Sequence, residues 1–114
     1  MGLAEKGQRW VYDADVDSSS PSQGVTRKVL AHFDGAMCAV HHFEKDAEGY
    51  LHTHPHNQIT YVADGVFSFE IDGETNIVKK GDSMYKQGGV LHGCKCLESG
   101  TLIDFFLPMR EDFV

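Results

Sequence analysis

Four side chains with metal-binding atoms stand at even positions in one short run, His52-Thr53-His54-Pro55-His56-Asn57-Gln58. In an extended strand alternate residues point to the same face, so His52 and His54 can converge on one point. Pro55 disturbs simple alternation beyond them. Another imidazole, His92, follows the turn-rich Gln87-Gly88-Gly89-Val90-Leu91, and an adjacent strand can bring it opposite the pair. Imidazole nitrogens with an amide oxygen suit a divalent transition metal far better than calcium or magnesium. The competing reading is a set of surface histidines that happen to alternate. The glycine-spaced His92 weighs against it.

Such a site needs strands to hold it. From Thr26 onward, short apolar runs alternate with turn residues: Arg27 to Phe33 ends at Asp34-Gly35, and Met37 to Phe43 gives way to a polar stretch through Gly49. Gln58 to Val62 ends at Asp64-Gly65, and Val66 to Ile71 ends at Asp72-Gly73; both pairs favour tight turns. Ile77-Val78, Met84-Tyr85, Val90-Leu91 and Thr101 to Leu107 complete the set. No window reads as an amphipathic helix longer than two turns. Short strands at roughly 8–12-residue spacing predict an all-β sandwich or barrel.

Residues 1–24 read as an N-terminal arm and loop, with Trp10-Val11-Tyr12 as one strand and Ser18 to Gly24 as the loop. Residues 25–114 form the body. Asp13, Asp15 and Asp17 alternate, but Gly24 stands where a calcium loop needs glutamate, so they form a solvated charge run.

Ten basic against seventeen acidic residues leave the chain at −7. That balance argues against nucleic acid, whose binding rests on phosphate neutralisation by Lys and Arg. An anionic small molecule would need local positive charge, from a metal or a placed arginine. No apolar run approaches the ~20 residues of a membrane span. The first residues contain no apolar signal core, and a cytoplasmic location is the expectation. The three cysteines, with Cys94 and Cys96 one residue apart, read as reduced thiols rather than a disulfide framework.

The two histidine segments resemble the paired motifs of the cupin superfamily. Gly49-Tyr-Leu-His52-Thr-His54-Pro-His-Asn-Gln58 through Gly65 is similar to the first, and Gly81 through Gln87-Gly88-Gly89-Val-Leu-His92 to the second. Asp46, Gln87 and Cys96 depart from the pattern at turn and loop positions. Gln58 in place of glutamate is the departure that touches chemistry. The chain further resembles the KdgF-type cupins of pectin and alginate breakdown. That likeness is carried by Arg27-Lys28-Val29-Leu30, His52 to Val62, and Leu102-Ile-Asp104-Phe-Phe106-Leu-Pro108-Met-Arg110-Glu-Asp-Phe113. It implies a single-domain jelly-roll barrel (a double-stranded β-helix) over residues 25–114, paired as a homodimer; separately, the apolar content of Trp10 to Val16 suggests that the arm exchanges or adds a strand across that interface. It also implies metal ligands His52, His54, Gln58 and His92, and active-site residues Asp104, Phe106 and Arg110.

The implied activity is linearisation of 4,5-unsaturated monouronates, small anionic sugar acids, to the 5-keto-4-deoxyuronate. Three neutral imidazoles and a neutral amide leave the metal's charge uncompensated, which strengthens it as a Lewis acid. Nickel, zinc, manganese and iron all accept this donor set. Asp104 is the expected general acid/base, Arg110 a clamp for carboxylate or hydroxyl, and Phe106 an apolar wall. The rivals are a metal-dependent cupin dioxygenase and a non-catalytic small-molecule-binding cupin. Tyr61 and Tyr85 read as barrel residues, and His56 as a neighbour of the ligands or a surface residue. Arg27 and Lys28 point either to the barrel mouth or to its exterior, and His32, His41 and His42 have no assigned role.

Overall fold

Turn chemistry and alternation produce eight strands in the computed structural model, which describes residues 2–114. They are β1 (Ser19–Ser22), β2 (Val25–Phe33), β3 (Ala36–Phe43), β4 (Glu48–His52), β5 (Asn57–Ile71), β6 (Glu74–Lys79), β7 (Ser83–Lys86) and β8 (His92–Leu107). Helical structure among the described residues is confined to 3₁₀ turns at Asp13–Asp15 and Glu111–Phe113. None of these is long and apolar enough to cross a membrane. Asp34-Gly35 closes the β2–β3 hairpin as a two-residue turn. Asp72-Gly73 does the same for β5–β6, with both φ angles positive at 51° and 80°. That is the backbone a tight hairpin turn demands.

Asp64-Gly65 was expected to be a third turn, but the chain runs straight through it. β5 continues to Ile71 with irregular register between Val62 and Phe67. Gly65, at φ +83°, lies so close to Gly100 of β8 that a Cβ on it would come within 2.6 Å of the Gly100 Cα. Two facing glycines thus let a strand pair bend together rather than reverse. The same bend joins the Thr101–Leu107 run to the residues after His92, making β8 one strand. Val90-Leu91 lies in the loop before it.

The bend splits the sheet into two layers sharing β5 and β8. One layer runs β1-β2-β3, then β8 from Gly100 onward, then the start of β5 and β7. The other runs β4, the first half of β8, the second half of β5, and β6. Val25, Phe43, Val62, Phe67, Phe69, Cys96 and Leu102 from both layers form one buried cluster. Val29, Met37, Ala39, Phe106 and Met109 form a second. Burying each large side chain contributes about 1.5–3 kcal/mol, the main term holding the layers together.

The N-terminal region differs from expectation at two points. Ser19–Ser22 is a strand hydrogen-bonded to β2, because Gly24, at φ +76°, permits a tight reversal there. Trp10 and Tyr12 are exposed and outside any strand. The arm lies on its own barrel: Ala4 and Val16 are buried, and the Gly7 amide donates to the His32 carbonyl at 2.8 Å.

Gly100→Ala tests the bend, since a Cβ there would sit 2.2 Å from the Asp64 carbonyl oxygen. We expect a loss of roughly 2–3 kcal/mol, read as a lower urea midpoint. An unchanged midpoint would mean the strands bend for another reason.

Candidate metal and substrate site

Strand register brings the chemistry to the interior of the barrel. β4 and β8 place His52 opposite His92, β5 and β8 place Thr60 opposite Asp104 and Gln58 opposite Phe106, and β2 and β3 place Arg27 opposite His41. His54 arrives differently from the expectation of strand alternation. β4 stops at His52, and His54 sits in the non-strand segment before β5. The following loop is fastened to that segment: Gly89 donates to the His54 carbonyl and Gly88 to Asn57 Oδ1, each at 2.8 Å. Gly88 is required there, because a Cβ would lie 2.2 Å from the Pro55 carbonyl oxygen.

One ring nitrogen from each of His52, His54 and His92 gathers within 4.8 Å of the others. Their Nδ1 atoms face the carbonyls of Tyr50, His56 and Val90, at 2.6, 3.1 and 3.1 Å. A carbonyl only accepts, so each Nδ1 carries a proton, and in the neutral ring Nε2 is the atom with the free lone pair. Burial pushes the His92 imidazole down to about 4 and also lowers His54, which keeps both rings neutral.

Three observations fit these residues to a cation. The Nε2 of His92 is buried with no hydrogen-bond partner. The Gln58 amide nitrogen donates to Asp104 Oδ1 at 2.8 Å, which turns its carbonyl oxygen the other way. That oxygen stands 2.9 Å from His54 Nε2, so two lone pairs face each other. A divalent ion satisfies all three groups, and nitrogen-rich donors select a transition metal.

Asp104 is the hub beside this cluster. Besides Gln58 it accepts from the Thr60 hydroxyl and, at 2.7 Å, from His41 Nδ1. Lys86, 1% exposed, donates to the same Thr60 oxygen at 2.6 Å. Burial alone would push the Asp104 carboxyl up. The hydrogen bond and charge from His41, the Lys86 ammonium and the Thr60 hydroxyl outweigh it and hold the carboxyl well below the usual range. Asp104 is therefore ionised at neutral pH.

His41, His52, Gln58, Lys86, His92 and Asp104 line a cavity of about 390 Å³. Phe106 forms part of its wall, while Phe105, Tyr61 and Tyr85 project from the barrel's exterior. Arg110 reaches the cavity with its Nε and Nη2 donating to Asp112 at 2.9 and 2.8 Å. His56 stands outside the three-histidine cluster. Lys28 points outward to Asp13, whereas Arg27 turns inward and donates to His41 Nε2 at 3.0 Å.

His41, Thr60, Lys86 and Arg27 are the site residues that motif reading does not assign. A signal for His41 exists: it shares the alternation of Met37, Ala39 and Phe43, all buried. A histidine in that phase must face inward.

An all-β barrel with three inward histidines at one end defines a cupin, and a cupin-domain family model matches residues 39–105. The pectin degradation protein KdgF of Dickeya dadantii (strain 3937) is 38% identical over 109 residues, covering 94% of this chain and 99% of that protein. KdgF from Halomonas sp. superposes with a TM-score of 0.88 at 31% identity, over 94% of this chain and 99% of the other. A RmlC-like cupin from Shewanella frigidimarina superposes at 0.92 with 34% identity, over 97% of this chain and 100% of the other. The chain belongs to the KdgF family of cupins.

Gly88→Ala tests the loop contact. The fold should survive while affinity for nickel or zinc falls about 10- to 100-fold by calorimetry, the usual effect of losing support behind a ligand. Unaltered affinity would separate the loop from the histidine geometry.

Proposed function

We propose that the chain opens the ring of 4,5-unsaturated monouronates released from pectin or alginate, giving the linear 5-keto-4-deoxyuronate. The observation that carries this reading is an ionised Asp104, whose Oδ2 accepts only from His41 and keeps lone-pair capacity, beside a three-histidine cluster at a monosaccharide-sized cavity. The pectin-degradation relative, matched over nearly its whole length, supports the substrate class.

In the substrate, C1 carries a hemiacetal hydroxyl and the ring oxygen is an enol ether next to a carboxylate. Asp104, as the ionised group, accepts the C1 hydroxyl proton. The C1–O5 bond breaks, C1 becomes an aldehyde, and the bond's electron pair stays on O5 as an enolate. The proton returned to C4 leaves a ketone at C5. Atoms balance without redox cofactor or net water. A divalent transition metal held by His52, His54, Gln58 and His92 supplies positive charge where oxygen gains negative charge. Phe106 keeps the reacting centre dry, and Arg110 hydrogen-bonds the sugar acid from the cavity mouth.

We also propose that two copies pair through the outer face of β5, β7 and β8. Ile59, Tyr61, Tyr85, Phe105 and Leu107 are each 41–60% exposed there, and Ile59 stands in register with both Tyr85 and Phe105. A contiguous uncharged sheet face of this kind suits a second copy of itself. Three free thiols support a reducing, cytoplasmic setting.

Loss of ultraviolet absorbance by the conjugated C4=C5 bond tests the activity. Metal-loaded protein should accelerate the decay over both chelated protein and buffer; equal decay in all three would reject the reaction. Asp104→Asn should slow turnover by about 100-fold or more, and near wild-type rates would remove Asp104 from proton transfer. For the pairing, Phe105→Lys should shift the sedimenting species from dimer to monomer; a wild-type monomer at micromolar concentration would refute the interface.

A further inference from the structure

The cavity holds three cationic side chains, Arg27, Lys86 and Arg110, against three carboxylates, Glu48, Asp104 and Asp112. Most of this charge is already engaged. Lys86 donates to Thr60 behind Asp104, and Arg110 spends two of its donors on Asp112. That clasp holds the Asp112 carboxyl below its usual range. Arg27 is different: among the described residues it makes no ion pair, and its single hydrogen bond runs from Nε to His41. Both terminal nitrogens of its guanidinium remain available to the cavity.

Arg27 is also held in place. Its Cζ lies 3.5 Å from the centroid of the Phe113 ring, and its Nε is fixed by His41, which is in turn bonded to Asp104. A planar fork stacked on an aromatic face and tied at one nitrogen is pre-organised to receive a carboxylate through the other two. The Arg110 Cζ lies 4.3 Å from the same ring. Two guanidiniums around one phenyl repel each other, and burial together with Arg110 already weakens the hold of Arg27 on its proton. An anion entering between them removes that repulsion.

We infer that Arg27 selects the carboxylate of the sugar acid, with its free Nη1 and Nη2 as the docking fork and Arg110 as the secondary contact. The inference rests on the uronate reading above for the identity of the anion. It adds that acid and neutral sugars are told apart at β2, away from the metal ligands. His41 links the two functions: the nitrogen that accepts from Arg27 fixes the proton on the side that faces Asp104.

Binding of D-galacturonate, an unreactive saturated uronate, and of D-galactose to metal-loaded protein by calorimetry separates this role from catalysis. Wild type should prefer the acid. Arg27→Ala should lose about 10- to 100-fold of that preference, the usual worth of a charged hydrogen-bonded contact. Arg27→Lys should recover part of it. Nickel affinity should match wild type in both variants, and the melting temperature of Arg27→Ala should fall by only a few degrees for the lost Phe113 stack and His41 bond. With unsaturated uronate, Arg27→Ala should raise KM by the same factor while kcat changes less than tenfold.

Preference lost in Arg110→Ala and kept in Arg27→Ala would overturn the assignment. So would a fall in kcat alone, or loss of metal by the Arg27 variants, either of which makes Arg27 a support for His41. A wild type that binds galacturonate through Arg27 yet leaves the unsaturated sugar unopened would refute the reaction and uphold the docking residue.

Discussion

A buried carboxylate with three donors governs this site. Asp104 accepts from Gln58, Thr60 and His41, and each bond has a separate consequence. The first decides which end of the Gln58 amide faces the histidines. The second draws in Lys86, whose ammonium offsets a charge that is otherwise expensive to bury. The third sets the His41 tautomer and, through it, the position of Arg27. An interior negative charge survives only with such compensation, and here Gln58, His41 and Lys86 among the compensating groups also line the cavity.

The cavity and the whole chain differ in electrostatic character. The chain is strongly acidic, at −7. Inside, lining cations equal lining carboxylates, and imidazoles with the Gln58 amide bring no negative charge to the cluster. A dication held there makes the interior positive within an acidic exterior. The uncharged donor set therefore matters as much for drawing in an anion as for polarising it.

Much of this was legible in the sequence, and the limits have physical causes. His52, His54 and His92 stood out because imidazoles at short spacing beside glycine turns have few alternative uses. Asp104, Phe106 and Arg110 came from resemblance alone; alternation predicts only that Asp104 and Phe106 share a face. Asp64-Gly65 misled because the dipeptide that turns a hairpin also permits a bend, and the choice depends on Gly100, thirty-five residues later in the chain. Ser19–Ser22 and Glu48–His52 are strands made by their neighbours, with little apolar content to announce them. Arg27, Thr60 and Lys86 were hidden for a related reason: their importance lies in which strands stand side by side, a relation that no local pattern encodes.

The long β8 has a bearing on synthesis. It supplies His92, Asp104 and Phe106, and it joins both layers through β5. During translation, therefore, the first ninety residues leave the ribosome with a histidine pair but no pocket, and with β3 and β5 lacking the strand that lies between them. Neither metal nor sugar has anything complete to bind until that stretch has emerged. The facing edges of β3 and β5 stay unpaired until then, and the third imidazole is the last to arrive.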